Sequence, residues 1–397
     1  MTTRIEGGRL IADGAIREGL CLYLEDGLIA EVSERRVACD RTIDAAGRYV
    51  APGFIDIHTH GGGDADFMDG TPEAFLTAAR LHARHGTTTL VPTAASGTAQ
   101  EMRGMEAAYE RALAQNGRGA DMPGLHLEGP YFSMAQRGAQ DPKYVRPPDP
   151  EEYRSILNGS RHILRWSAAP ELPGALEFGR ELQRRGILAA IGHTDADYEQ
   201  VAAAVQAGYS HVTHLYSCMS TVHRRNAFRY AGVVEAAYLL DELTVEVIAD
   251  GVHLPGPLLQ FVYRFKGPDK IALVTDSMRG AGMPDGLSIL GSRQNGQQVL
   301  LEDGVAKLMD RSAFAGSVAT TDRLVRTMRN LGGASLTDAV KMATETPARI
   351  MGFADRGRLI PGLRADLVLF DESICISRTL VAGRTVYDQQ EERACSE

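Results

Sequence analysis

Short apolar segments alternate with helical patterns through the middle of the chain. Helix-like stretches such as 195–207, which Gly208 ends, separate most of these segments. Eight segments have the length of a buried strand: 53–58, 88–92, 124–128, 163–168, 188–193, 211–214, 245–250 and 271–276. Eight strands that alternate with helices over roughly 300 residues predict an α/β fold, a (β/α)8 TIM-like barrel. A doubly wound open sheet is the alternative, but no glycine-rich phosphate loop follows the first segment.

The two ends of the chain carry the pattern of shorter strands. Asp26-Gly27 separates two alternating apolar runs, 20–24 and 28–32, which indicates a hairpin. Near the other end, 365–370 has a strand pattern, and 379–386 predicts a second hairpin. We therefore expect a small β-sandwich domain built from both termini. The predicted segments are 1–51 for the first part of this small domain, 52–356 for the barrel and 357–397 for the second part.

Composition narrows the classes of partner. The formal net charge of -9 and the lack of a long basic run argue against nucleic-acid binding. Five cysteines occur at irregular spacings without a Cys-x-x-Cys pair, which is typical of a reducing compartment. The N-terminus lacks the pattern of a signal peptide, and no run of about 18 apolar residues could span a membrane. We expect a cytoplasmic protein with no nucleic-acid partner and no membrane partner.

Polar residues of similar chemistry stand at the predicted carboxyl ends of the strands. His58 and His60 end strand one. Four single residues end strands three, five, six and eight: Glu128, His193, His214 and Asp276. Because the carboxyl ends of barrel strands converge at one mouth, these side chains should meet there. A single histidine is more often a structural residue, but five such ligands on four strands favour a common site.

The His58-Thr59-His60 pair predicts a metal ion. Residues i and i+2 of a strand share a face, so both rings can point at one ion. Nitrogen and carboxylate ligands suit zinc or another first-row divalent ion. Such an ion lowers the pKa of its bound water to about 7. Asp276 is the candidate to take the proton and pass it to a leaving amine, with a metal ligand or a helix N-cap as its alternative roles.

Several segments resemble the N-acetylglucosamine-6-phosphate deacetylase family of the amidohydrolase superfamily. His-x-His alone marks only the superfamily. His-Leu-Glu-Gly-Pro at 126–130 and Asp-Gly-Val-His at 250–253 are more specific to the family. The likeness covers nearly the whole chain, and the matching segments are 52–61, 126–131, 192–196, 213–216, 249–253, 274–276, 315–317 and 362–368.

The resemblance implies hydrolysis of the N-acetyl group of N-acetylglucosamine 6-phosphate, giving glucosamine 6-phosphate and acetate, with the strand-eight aspartate as the catalytic residue. Glu128, His193 and His214 would hold the principal metal. His58 and His60 would hold a second ion and share Glu128, although some members of the family use one metal. Zinc is favoured, with iron, manganese or cobalt as alternatives. The resemblance also implies a homodimer.

The contacts to the amino sugar phosphate also follow from the resemblance. Ala139 and Gln140 would lie near the acetamide, and His253 near the sugar hydroxyls. Ser217-Cys218 stands where the family usually has Asn-Ala, and Arg225 falls at the phosphate-binding position. A solvated loop or a contact to a partner subunit is the alternative for this arginine. The full set of predicted contacts is Ala139, Gln140, Ser217, Cys218, Arg225, Asp250, Gly251, His253, Phe314, Ala315 and Gly316.

Three other functions compete with this interpretation. The departures near the sugar phosphate leave room for another substrate, such as N-acetylgalactosamine 6-phosphate or an unphosphorylated N-acetylated sugar. A non-catalytic barrel used for binding would normally lose its metal ligands, whereas this chain keeps all five together with the aspartate. A cyclic-amide hydrolase would usually carry a lysine on strand four, and 163–171 contains none.

Overall fold

The structure is a computed structural model that describes residues 1–396. Its largest sheet has eight parallel strands in the order in which they occur along the chain. The sheet closes on itself, because the Asp276 amide donates to the His58 carbonyl at 2.9 Å and the His60 amide donates to the Ser277 carbonyl at 2.8 Å. The predicted barrel is confirmed. Strands one to eight are Phe54–Thr59, Thr87–Ala94, Leu125–Glu128, Ile163–Ala168, Leu188–Ile191, Tyr209–Val212, Thr244–Ile248 and Ile271–Val274.

A helix follows each barrel strand. The first of them shows why these segments are helical: Thr71 accepts a hydrogen bond from the Ala74 amide at 3.3 Å, Pro72 occupies the first turn, and one face is buried. The eight helices are Pro72–Arg84, Ala99–Leu113, Pro150–Gly159, Ala175–Arg184, Tyr198–Gln206, Val233–Leu239, Gly256–Lys266 and Thr321–Asn330. The chain adds Leu336–Met342, Glu345–Ile350 and Gln389–Ser396, and the short 3-10 turns Phe67–Asp69 and Met134–Gln136.

Strands five, six and eight end earlier than the sequence predicts. Each stops two residues before the polar residue expected at its end: Ile191 before His193, Val212 before His214, and Val274 before Asp276. These three polar residues have φ angles of 49°, 28° and 45°. A left-handed backbone costs a non-glycine residue roughly 1–2 kcal/mol, and such strain concentrates at functional sites. The chain therefore turns sharply just where it presents each of these side chains.

Both ends of the chain combine in a sandwich of two sheets. One sheet has the strand order Arg384–Asp388, Ile376–Val381, Leu367–Phe370, Tyr49–Pro52, Arg9–Ala12 and Ala15–Arg17. The other has the order Leu28–Ser33, Cys21–Glu25, Thr3–Glu6 and Arg41–Asp44. Val50 and Leu369 of the first sheet pack with Ile5 and Leu22 of the second in one apolar cluster. The predicted β-sandwich and its two hairpins are confirmed, whereas the boundaries at residues 52 and 356 stay a prediction.

A four-stranded antiparallel sheet between strand eight and its helix is missing from the sequence-based prediction. Its strands are Gly286–Leu290, Gln297–Glu302, Val305–Leu308 and Phe314–Ser317. The last strand is bonded to the end of strand eight, because the Ser317 amide donates to the Asp276 carbonyl at 2.8 Å. This insertion therefore stands at the mouth of the barrel. Two small hairpins, Gly61–Gly62 with Ala65–Asp66 and His223–Arg225 with Phe228–Tyr230, complete the strands.

Four of the five cysteines have described side chains. All four are free thiols: Cys21, Cys39, Cys218 and Cys375. The side chain of Cys395 lies outside the described residues. Within residues 1–396, no helix is long and apolar enough to cross a membrane.

Candidate active site

The predicted metal ligands meet at the mouth of the barrel around one carboxylate. The oxygens of Glu128 lie 3.0 Å from His214 Nε2, 3.3 Å from His60 Nε2, and 3.4 Å from Nε2 of both His58 and His193. Two sets of ligand atoms, each within 4.8 Å of one another, share this carboxylate. One set is His58, His60 and Glu128, and the other is Glu128, His193 and His214. The geometry offers two adjacent ion positions with Glu128 between them.

Hydrogen bonds on the far side of two rings leave nitrogen lone pairs facing this carboxylate. His193 Nδ1 donates to the Gln136 carbonyl at 3.0 Å, and His58 Nδ1 donates to Glu246 Oε1 at 2.6 Å. In the neutral form of each ring, Nε2 therefore carries the lone pair. His58 Nε2 is buried without a hydrogen-bond partner, and His193 Nε2 lies 3.2 Å from His214 Nε2. Lone pairs gathered around a carboxylate repel one another, and a divalent cation relieves that repulsion, so these residues fit a metal ion.

Glu128 is held in place by a loop residue. Gln140 Nε2 donates to Glu128 Oε2 at 2.9 Å, while Gln140 Oε1 accepts from the Ser96 amide at 3.0 Å. Burial opposes ionisation of Glu128, but the surrounding histidines, His58 foremost, hold the pKa of this carboxyl well below its usual range. The carboxylate between the two ligand sets is therefore negatively charged and fixed in orientation.

Asp276 stands beside the same ligands. Its Oδ1 lies 3.2 Å from His60 Nε2 and 3.5 Å from His58 Nε2. Burial opposes ionisation of this carboxyl as well, but His58 and His60 outweigh it and hold the pKa of Asp276 below its usual range. An ionised carboxylate at this place can accept a proton from a molecule in the mouth.

A cavity of about 290 Å³ lies over the ligands. His253 borders it, and because His253 Nδ1 donates to Asp250 Oδ2 at 2.8 Å, its Nε2 remains for a bound molecule. The predicted contact residues that line the cavity are Ala139, Gln140, Ser217, Cys218, His253, Phe314 and Gly316. Five further lining residues were not predicted: Ala95, Tyr216, Ile248, Leu290 and Ala313. A concave space with charged groups at its base is the usual form of a small-molecule site.

The sequence matches a family model described as the Amidohydrolase family over residues 49–386. This chain belongs to the amidohydrolase family. The match takes in all eight barrel strands and, in the larger sheet of the sandwich, the strands Tyr49–Pro52, Leu367–Phe370 and Ile376–Val381 in full. It also takes in every metal-ligand candidate and Asp276.

Relatives of this amidohydrolase give a narrower grouping. An N-acetylglucosamine-6-phosphate deacetylase from Lysinibacillus sphaericus is 34% identical over 92% of this chain and 93% of its own. An N-acetylgalactosamine-6-phosphate deacetylase from Escherichia coli O157:H7 is 31% identical over 97% and 99%. The solved N-acetyl-D-glucosamine-6-phosphate deacetylase of Mycobacterium smegmatis, an aspartate-to-alanine variant in complex with N-acetyl-D-glucosamine-6-phosphate, superposes with a TM-score of 0.88 at 30% identity, covering 97% of this chain and 99% of that one.

Three predicted contact residues of the amidohydrolase lie next to the cavity without bordering it. Asp250 is buried and holds His253. Gly251 has a φ of 81°, a left-handed conformation that suits glycine. Ala315 is fully buried in an apolar cluster of the inserted sheet. These three residues lie behind the cavity wall, and Asp250 holds His253 of that wall in place.

Arg225 lies away from the cavity, on the hairpin His223–Arg225 with Phe228–Tyr230. Its side chain is half exposed, and its Nη1 lies 3.4 Å from Asp197 Oδ2. Its guanidinium also lies over the ring of Tyr230 at 5.2 Å. The structure does not bring this arginine together with the other predicted contacts.

Sequence reasoning missed a set of buried charges beneath the ligands. Glu246 accepts from His58 Nδ1 at 2.6 Å and from Arg165 Nη1 at 2.5 Å. Burial opposes ionisation of Glu246, but Arg165 and then His58 hold the pKa of this carboxyl well below its usual range. Asp56 accepts from the Thr275 hydroxyl at 2.6 Å. An acidic residue inside an apolar strand, as in Val-Glu-Val-Ile, was the available signal, because a charge is rarely buried without a partner.

Removing the shared carboxylate should empty both ion positions. We expect Glu128→Gln to lower the metal content of the purified protein at both positions, because both ligand sets use this residue. His60→Gln should lower it at one position only. Metal analysis of the two variants beside Asp250→Asn, which lies outside both sets, measures the difference. A Glu128→Gln protein with unchanged metal content would contradict the shared position.

Proposed function

We propose that this chain deacetylates N-acetylglucosamine 6-phosphate, giving glucosamine 6-phosphate and acetate. The observation that carries the proposal is the carboxylate of Asp276, which lies within 3.5 Å of the His58 and His60 rings at the border of the cavity. The grouping with deacetylases of amino sugar phosphates supports the substrate class. A water and an amide bond brought to this place would meet a proton acceptor and a cation site together.

A divalent ion in this site supplies Lewis acidity for the acetyl carbonyl and lowers the pKa of a water molecule. Asp276 accepts the proton of the attacking water as the new carbon–oxygen bond forms. Asp276 then donates this proton to the sugar nitrogen as the carbon–nitrogen bond breaks. His253, with Nδ1 fixed by Asp250, presents Nε2 to a sugar hydroxyl, and Gln140 stands beside the acetamide. Acetate and the free amine account for all atoms of the amide and water.

The metal assignment follows from the two ligand sets. We propose the principal ion at Glu128, His193 and His214, and a second ion at His58 and His60 with Glu128 shared. Imidazole and carboxylate ligands favour zinc, with iron, manganese or cobalt as alternatives. We also propose a cytoplasmic homodimer that binds neither nucleic acid nor membrane, on the strength of the family resemblance and the acidic net charge of -9.

N-acetylgalactosamine 6-phosphate is the second candidate substrate. The relative from Escherichia coli O157:H7, at 31% identity over 97% of this chain, carries that activity in its name. Ser217-Cys218 also departs from the usual Asn-Ala of the family at the wall of the cavity. An unphosphorylated N-acetylated sugar is the third candidate, because Arg225 does not line the cavity.

An acetate-release assay decides among these substrates. The purified protein should release acetate from N-acetylglucosamine 6-phosphate with a higher kcat/KM than from the galacto epimer or from either unphosphorylated sugar. The same four compounds with heat-inactivated protein serve as the control. Equal or higher kcat/KM on the galacto epimer would transfer the assignment to that sugar, and no acetate from any of them would refute the deacetylase.

Asp276→Asn should retain the metal and lose turnover. The amide keeps the shape of the side chain but cannot accept a proton, so we expect kcat to fall by about 10²- to 10⁴-fold. Metal content and the thermal unfolding midpoint of the same preparation are the controls for an intact site. Near-normal kcat would remove Asp276 from proton transfer.

Arg225→Ala tests the predicted phosphate contact of a side chain that does not line the cavity. If this guanidinium binds the phosphate, KM for N-acetylglucosamine 6-phosphate should rise by at least about tenfold, in keeping with a charge-assisted hydrogen bond. KM for N-acetylglucosamine should stay within about twofold. Arg229→Ala, on the facing strand of the same exposed hairpin, is the matched control. An equal rise of KM for both sugars would show that Arg225 does not bind phosphate.

A further inference from the structure

The barrel interior beneath the metal ligands is polar and charged. Barrel interiors are usually filled with branched apolar side chains. Here one layer holds Arg165 of strand four, His211 of strand six and Glu246 of strand seven, all with no exposed surface. Burying charge is costly unless every group is paired, so such a layer needs a reason to be retained.

Glu246 is the centre of this layer. Oε1 accepts from His58 Nδ1 at 2.6 Å and from the His214 backbone amide at 3.1 Å. Oε2 accepts from Arg165 Nη1 at 2.5 Å and from His211 Nε2 at 3.2 Å. Each oxygen therefore accepts two hydrogen bonds, and two of the four donors belong to the metal-ligand candidates His58 and His214.

Arg165 fixes the carboxylate from below. Besides Glu246, its Nη1 donates to the Ile57 carbonyl at 3.3 Å and its Nη2 donates to the Thr213 hydroxyl at 2.9 Å. Ile57 directly precedes His58, and Thr213 directly precedes His214. The guanidinium thus ties Glu246 to the two strands that deliver these histidines, and it balances the charge of the carboxylate.

The bond to Glu246 decides which nitrogen His58 presents to the mouth. A carboxylate only accepts, so Nδ1 carries a proton, and in the neutral ring the lone pair stands on Nε2. His60 offers a contrast on the same strand end, because its Nδ1 is buried without a hydrogen-bond partner among the described residues. Of the two histidines in this ligand set, only His58 has its tautomer and ring orientation fixed by a charged partner.

We propose that Glu246, braced by Arg165, is the positioning residue for the second metal ion, the one assigned to His58 and His60. This inference rests on the proposed function, since it concerns an ion placed there. An ionised partner on Nδ1 holds the ring in one orientation and raises the basicity of Nε2, which strengthens its bond to a cation. Glu246 touches neither substrate nor ion, and it acts through His58.

Glu246→Gln tests the inference by metal titration. Metal-free protein is titrated with Zn²⁺ against a competing chelator, and His60→Gln identifies which of the two equivalents belongs to His58 and His60. We expect Glu246→Gln to weaken that equivalent by about 10- to 100-fold and to leave the other within about threefold. His211→Gln is the matched control, because it removes a partner of the same carboxylate on the side away from His58.

Nitrogen NMR of the histidine rings adds a readout that needs no metal. In the metal-free wild type, at a pH where the His58 ring is neutral, the ring should be protonated at Nδ1 and not at Nε2, and Glu246→Gln should lose this preference while His211→Gln keeps it. If Glu246→Gln does not fold because Arg165 is left unpaired, the pair Glu246→Gln/Arg165→Met removes that charge, and the wild-type spectrum still decides the tautomer.

The outcomes separate the two proposals. A wild-type protein that binds one equivalent of Zn²⁺ refutes the second ion of the proposed function, and the role of Glu246 with it. A wild type that binds two equivalents while Glu246→Gln does so with unchanged affinity refutes only the positioning role. Equal losses in Glu246→Gln and His211→Gln, or a neutral His58 ring that is protonated at Nε2, also overturn it.

Discussion

One buried carboxylate determines the arrangement of the whole site. Glu128 faces four histidine nitrogens at 3.0 to 3.4 Å in a space with almost no exposed surface. So many electron-rich atoms at such short range are stable together only when positive charge lies among them. The other residues of the mouth hold this carboxylate and the histidine rings in place. Gln140 holds the carboxylate, hydrogen bonds behind the rings turn their nitrogens towards it, and Asp276 stands at the edge where a substrate arrives.

Three barrel strands position these groups in the same way, by a sharp turn of the backbone just after the strand ends. Strands five, six and eight each stop two residues before a functional side chain, and each of those residues has a left-handed backbone. These three strained residues persist only because the surrounding hydrogen bonds determine the backbone closely. The amide of His214, bonded to Glu246, and the amide of Asp276, bonded to the His58 carbonyl, are examples. The same contacts that close the barrel therefore place its chemistry.

Much of the fold was accessible from the sequence, because it depends on periodicity. The eight apolar segments became the eight strands, and the hairpin at Asp26-Gly27 formed as expected. The metal ligands could be predicted from the sequence because polar residues at the strand ends interrupt apolar runs. The left-handed turns at His193, His214 and Asp276 were not, since tertiary contacts impose them on residues that favour other conformations. The pairing of Glu246 with Arg165 depends on two strands separated by two others in the sheet, which no local pattern encodes.

The sandwich made from both termini has a consequence for how the protein is synthesised. Strand Tyr49–Pro52 lies between Arg9–Ala12 and Leu367–Phe370, and Val50 pairs with Leu369. A chain emerging from the ribosome exposes the unpaired edge of Tyr49–Pro52 until Leu367–Phe370 has been made. Unpaired strand edges promote aggregation, and long-range pairings form slowly. The barrel is therefore translated while this sheet is incomplete, and during that time the edge of Tyr49–Pro52 is a site where aggregation can begin.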